Sequence, residues 1–91
     1  MTKQRTNYLY KFTGFIQTKY QRQKANQPYF YQLKVALIGS KITKIFAFVK
    51  KTKPTVWKAL EEESYIGKKY LFSCRNYQGS YYLVDWEEID E

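Results

Sequence analysis

Pro28-Tyr29-Phe30-Tyr31-Gln32-Leu33-Lys34-Val35-Ala36-Leu37-Ile38 leads through Gly39-Ser40 into Lys41-Ile42-Thr43-Lys44-Ile45-Phe46-Ala47-Phe48-Val49-Lys50. Two runs rich in β-branched and aromatic residues, joined by a glycine-led dipeptide, predict a β-hairpin; proline is tolerated at a strand's first position. Strand alternation then assigns the side chains. Leu33, Val35 and Leu37 share one face, and Ile45, Ala47 and Val49 continue it, so these six are expected in the core. Phe30, Gln32, Lys34 and Ala36 fall on the other face with Lys44, Phe46, Phe48 and Lys50. The competing assignment buries Phe46 and Phe48, but lysines of the same parity argue for the outer face because lysine is almost never fully buried.

Outward from this hairpin the punctuation is regular. Residues 8–18 are aromatic and β-branched around Gly14, as expected of a strand that bends at a glycine or bulge. Residues 19–27 have no apolar period and predict a basic loop. Beyond a basic connector at residues 50–53, Pro54 and Thr55 offer a helix start, and Val56, Trp57, Ala59 and Leu60 supply a short apolar stripe. Gly67 ends that connection. Residues 68–76 and 81–86 predict two further strands joined by a turn at residues 76–80. The expected order is β-β-β-α-β-β, with residues 1–7 a flexible basic N-terminus, residues 8–86 one domain, and residues 87–91 a short acidic tail.

Composition bounds what such a domain can do. The 91 residues suffice for a single core, at a size where roughly 60–65% of the unfolded chain's surface becomes buried. Hydrophobic residues at 44% and aromatics at 20% exclude a generally disordered chain. No apolar run reaches the length of a membrane span or a secretory signal, so the expected place is the cytoplasm or an organellar matrix or nucleoid, without export. Thirteen lysines to three arginines suit AT-rich coding, as in organelles, low-GC bacteria and phages. One cysteine and no histidine leave neither a disulfide framework nor a Cys/His zinc site, and no cofactor or metal is expected. Consecutive Glu61, Glu62 and Glu63 diverge on a helix, and no nucleophile–base set is evident, so no enzymatic activity is expected.

The net charge of +8 is unevenly spread. Residues 1–60 carry thirteen Lys/Arg and no acid; residues 61–91 carry eight acids against three bases, a local balance of −5. Sixty residues of one sign repel one another, and a bound polyanion that displaces counterions is the usual compensation. Lysines that only keep an aromatic-rich domain soluble are the competing explanation, which the complete avoidance of acids disfavours. Rings interleaved with ammonium groups on the hairpin's outer face suit single-stranded nucleic acid, whose bases stack while lysines meet phosphates.

Five strands with one short helix between the third and fourth resemble the OB-fold, a five-stranded all-β Greek-key barrel. Phe12-Thr13-Gly14-Phe15-Ile16 and Ile66-Gly67-Lys68-Lys69-Tyr70-Leu71-Phe72 resemble the first-strand glycine pattern and the glycine-led fourth strand of bacterial, organellar and phage single-stranded DNA-binding proteins. That resemblance implies a groove over the second and third strands and their flanking loops. Lys19, Tyr20, Arg22 and Lys24 would form one wall, with Tyr29 beside them, and Arg75 and Tyr77 the other. Phe30, Gln32, Lys34, Lys44, Phe46, Phe48 and Lys50 would form the floor. It also implies sequence-tolerant single-stranded DNA binding in replication, recombination or repair; it leaves open whether the chain forms homo-oligomers through an edge strand and whether the acidic C-terminus is a solvated end or a contact for a protein partner, and no membrane partner is expected. The hairpin turns here are shorter than that family's, which implies little wrapping. The alternatives are a single-stranded RNA module, DNA being the expected ligand of the two, and a protein-interaction barrel without nucleic acid.

Trp57 is expected to plug the barrel's open end, Trp86 to pack, and Cys74 to be a small buried hydrophobe beside Tyr70 and Phe72.

Overall fold

A computed structural model describes residues 8–39 and 41–90. The expected N-terminal segment 1–7, Ser40 of the hairpin turn and Glu91 of the acidic tail lie outside the described residues. The elements are β1 (Tyr10–Arg22), β2 (Phe30–Leu37), β3 (Lys41–Ala47), α1 (Pro54–Glu62), β4 (Tyr70–Tyr77) and β5 (Ser80–Glu88). The strands close into a barrel in the order β1-β2-β3-β5-β4, with α1 in the β3–β4 connection. This is the expected all-β, OB-fold-like barrel.

Closure depends on β1 serving two partners. Its first half pairs antiparallel with β4, from Tyr10 opposite Cys74 to Gly14 opposite Tyr70; its second half pairs antiparallel with β2, from Gly14 opposite Leu37 to Arg22 opposite Phe30. Gly14 stands where the two ladders meet. A Cβ placed there would lie 2.1 Å from the Ala36 carbonyl oxygen, so the close approach of backbones requires glycine. On the far side, β3 and β5 pair parallel through only two residue pairs, Ile45–Tyr81 and Phe46–Tyr82.

The core follows the alternation predicted for the hairpin. Leu33, Val35, Ile45 and Ala47 are fully buried with Phe72, Cys74 and Leu83. The helix buries Val56 and Leu60, and Trp57 packs on this cluster 5.0 Å from the Tyr31 ring. Trp86 stacks on Tyr70 at 4.1 Å. Burial pushes the Cys74 thiol up to about 12.

Several expected boundaries are corrected. β1 begins at Tyr10 and runs on to Arg22, so Lys19, Tyr20 and Arg22 belong to a strand rather than a loop. A polar outer face conceals the strand because only its inner residues need be apolar. β3 ends at Ala47, short of the expected Lys50. There the chain turns, with the amides of Lys51 and Thr52 both donating to the Phe48 carbonyl at 2.9 Å and Thr52 Oγ1 donating to the Leu83 carbonyl at 2.7 Å. Val49, expected in the core, rides on that turn and is 44% exposed, while Leu37, near the hairpin end, is only partly buried. β4 starts at Tyr70, two residues later than expected.

The β4–β5 connection is tighter than expected. Tyr77 pairs with Ser80, leaving Gln78 and Gly79 as a two-residue turn with φ of 52° and 86°. Positive φ at both positions matches the strands' right-handed twist. β5 continues through Glu87 and Glu88, which are therefore ladder residues and not the start of an acidic tail, and the Ile89 amide donates to the Lys69 carbonyl at 2.8 Å.

Candidate nucleic-acid interface

The outer face of the sheet is laid out by register. Residues directly opposite in an antiparallel pair share a face. Thr18, Lys34 and Lys44 therefore form one row across β1, β2 and β3; Tyr20, Gln32 and Phe46 form the next; and Arg22 stands opposite Phe30 in the one after. The β1 contribution depends on an irregularity between Ile16 and Thr18. Ile16 faces inward opposite Val35, and the extra residue reverses the parity, so the even-numbered Tyr20 and Arg22 face outward.

The same reversal turns Lys19 inward, against expectation. It pairs with buried Leu33, and its Nζ donates to the Leu60 carbonyl at 2.6 Å, lies 3.4 Å from Glu63 and sits 4.6 Å from the centre of the Tyr31 ring. Its side chain is 12% exposed. Lys19 fastens the strand to the helix end and is removed from the candidate groove. Tyr29 is also engaged locally. Its hydroxyl donates to Glu61, which holds the phenol up to about 12, and its ring tilts against Trp57 at 5.9 Å. It borders the groove, beside Val49 and Lys50, rather than offering a free ring.

Phe30, Phe46 and Phe48 do converge on the outer face, where they are joined by Tyr82. The Phe30 and Phe48 rings are 4.7 Å apart with planes 14° from parallel, and Phe46 lies 6.1 Å from Phe30. Tyr82 is 5.8 Å from Phe46 and 5.6 Å from Phe48. Phe30 is corrected in one respect: it is only 9% exposed because its neighbours cover it, although it stands outside the main core cluster. The rings open to solvent are the half-buried Phe46, Phe48 and Tyr82 above it. Tyr82 is absent from the site residues that the sequence predicts. The signal for it is its alternation with buried Leu83, but which strand it adjoins depends on the parallel β3–β5 pairing.

Shallow clefts adjoin one another around this cluster. One holds Lys24 and Gln27 beside the phenylalanines and Tyr82. A second runs from Phe48 and Tyr82 past Lys51 to Arg75 and Tyr77, the last 63% exposed. A third lies between Lys50 and the residues before β2. Through Phe46, Thr43 and Lys44 the surface continues to a cleft bounded by Tyr20, Arg22, Gln32 and Lys34. Arg22 Nε donates to Gln32 Oε1 at 2.7 Å, and its guanidinium stands 5.8 Å from the Tyr20 ring centre. Among the described residues, no Asp or Glu lines any of these five clefts.

No family model, curated protein or solved structure matches this chain.

The pairing of the cations sharpens the arrangement. Lys19, Lys53, Lys58 and Lys68 each have a carboxylate within 4 Å: Glu63, Asp85, Glu62 and Glu88. Among the described residues, Arg22, Lys24, Lys34, Lys44, Lys50, Lys51 and Arg75 have none, and these seven line the clefts. Lys51 is an addition to the expected site residues. The surface thus joins uncompensated positive charge to ring faces. Among the described residues there is no group of three His, Cys, Asp or Glu able to hold a metal ion, and no helix long and apolar enough to cross a membrane.

Proposed function

We propose that this protein binds single-stranded nucleic acid, DNA in the first instance, with little sequence preference, as an accessory to replication, recombination or repair. The observation that carries the proposal is the segregation of charge. Among the described residues, every cation bordering the Phe46–Phe48–Tyr82 cluster lacks a carboxylate partner, whereas Lys19, Lys53, Lys58 and Lys68, around the helix and the barrel's acidic positions, have one. Bases on aromatic faces contribute about 1–3 kcal/mol each, and every base has such a face, so stacking tolerates sequence. The unpaired cations meet the backbone.

Single-stranded RNA offers the same chemistry and is the second ligand to be compared.

The test is fluorescence anisotropy with a labelled oligothymidine, titrated at several salt concentrations, with duplex DNA and oligouridine as competitors. Tight binding at low salt, a steep fall with added salt and poor competition by duplex are expected. Absence of binding at low salt would overturn the proposal.

A further inference from the structure

Lys34 and Lys44 are directly opposed across the β2–β3 ladder, on the same outer face. Both are exposed, and among the described residues neither has a carboxylate within ion-pair distance. Like charges directly opposite on neighbouring strands destabilise a sheet. The third member of the row, Thr18, carries no charge that could offset them. Among the described residues, the row thus sets two like charges opposite one another with no carboxylate to offset them.

Around the pair the surface is concave. Arg22 and Tyr20 come from β1, Gln32 from β2 and Thr43 from β3, and together they bound one cleft with the two lysines. Arg22 is oriented by its Nε bond to Gln32, which leaves the terminal NH2 groups of the guanidinium for an incoming acceptor. Two point-charge ammonium groups and one guanidinium edge are the donors that a phosphate takes. The ring cluster begins one row along the same face, at Phe46, and residues two apart on a strand are separated by about 7 Å. One nucleotide can bridge that span with its phosphate over the lysine row and its base on Phe46.

We infer that Lys34 and Lys44 form a phosphate seat, which Arg22 reaches across the same cleft from beyond the Gln32–Phe46 row, and which fixes the strand's backbone one row from the first stacked base. The seat rests on the single-strand reading and divides the ligand between the two halves of the surface, phosphate to one and base to the other. Filling the seat also relieves the Lys34–Lys44 repulsion. A polyphosphate without any base should therefore stabilise the fold.

The experiment uses the full chain with sodium tripolyphosphate as probe. Thermal melting is measured against sodium chloride at matched ionic strength, for the wild type, K34Q/K44Q and K34E. Tripolyphosphate is expected to raise the wild-type Tm by roughly 2–5 °C over the chloride control and to leave K34Q/K44Q unchanged. K34E, which pairs its carboxylate with Lys44, is expected to melt above the wild type at low salt and not to respond to tripolyphosphate.

In oligothymidine titrations K34Q/K44Q should lower the slope of log affinity against log salt by about 0.7–1.4 while retaining weak binding through the rings. An equal tripolyphosphate response in K34Q/K44Q, or an unchanged salt slope, would overturn the seat and leave single-strand binding standing. A tripolyphosphate response without oligonucleotide binding would keep the seat and overturn the single-strand reading. Should K34Q/K44Q fold poorly, K34E alone decides through the sign of its Tm shift.

Discussion

Phe48 lies flat against Phe30, with ring centroids 4.7 Å apart, although Phe30 opens β2 and Phe48 follows the end of β3. One ring is the floor of the outer cluster and the other is its exposed surface. Their substitutions should therefore separate. F48A and F46A are expected to weaken oligonucleotide binding by about 1–3 kcal/mol each, with modest loss of stability, whereas F30A is expected to cost about 3 kcal/mol of folding stability. Urea unfolding and anisotropy on the same preparations check the split.

Cation pairing gives an independent prediction. Removing an unpaired groove cation, as in R75Q or K51Q, should reduce the salt slope of single-strand binding by about 0.7 for each phosphate that is no longer neutralised. K58Q, which breaks only the exposed pair with Glu62, should leave both slope and affinity unchanged and alter stability by less than about 1 kcal/mol. Titrations from low to moderate salt distinguish the two classes.

Lys19 belongs to the scaffold. Replacing it by methionine keeps the aliphatic stem but removes the bond to the Leu60 carbonyl and the ammonium beside the Tyr31 ring. K19M is expected to lower stability by about 1–2 kcal/mol and to leave the binding affinity per folded molecule unaltered. A drop in affinity with stability intact would return Lys19 to the groove.

At Gly14 the Cβ of alanine would meet the Ala36 carbonyl oxygen at 2.1 Å, a backbone atom that cannot turn aside. G14A should open the junction between the β1–β2 and β1–β4 ladders. A destabilisation of about 3 kcal/mol or more is expected, in line with forced overpacking at a fixed site, and is read from the urea midpoint.

Alkaline pH should weaken the fold in a defined window. The Tyr29 hydroxyl donates to Glu61, so the neutral phenol is favoured and its pKa is raised from 10.0 to about 12. Burial raises the Cys74 thiol from 9.0 to about 12. Both groups bind their protons more tightly when folded, so the stability they contribute is fully present below pH 9 and is lost as pH rises towards 12. Urea midpoints measured between about pH 8 and 11 should fall, and Y29F should fall less steeply above about pH 10.

The sequence alone determined the order of five strands and one helix, and the closed barrel was expected only from the likeness of that order to the OB-fold. Alternation in the hairpin separated Leu33, Val35, Ile45 and Ala47 from the lysine-bearing face, and glycine positions marked the β1 bend and the turns, because these patterns act over two to four residues. It also brought Phe46, Phe48, Lys34 and Lys44 onto one surface, since they belong to one hairpin. What only the tertiary structure decided were the features fixed by distant pairing. The irregularity near Thr18 reverses parity in β1, sending Lys19 to the helix end and Tyr20 and Arg22 to the groove; no local pattern reports a bulge whose outer residues are polar. The turn after Ala47 lifts Val49 out of the core, and the parallel β3–β5 pairing carries Tyr82 to Phe46. A strand's own residues specify its two faces, but which face meets the core, and which ring meets which, is set by partners tens of residues away.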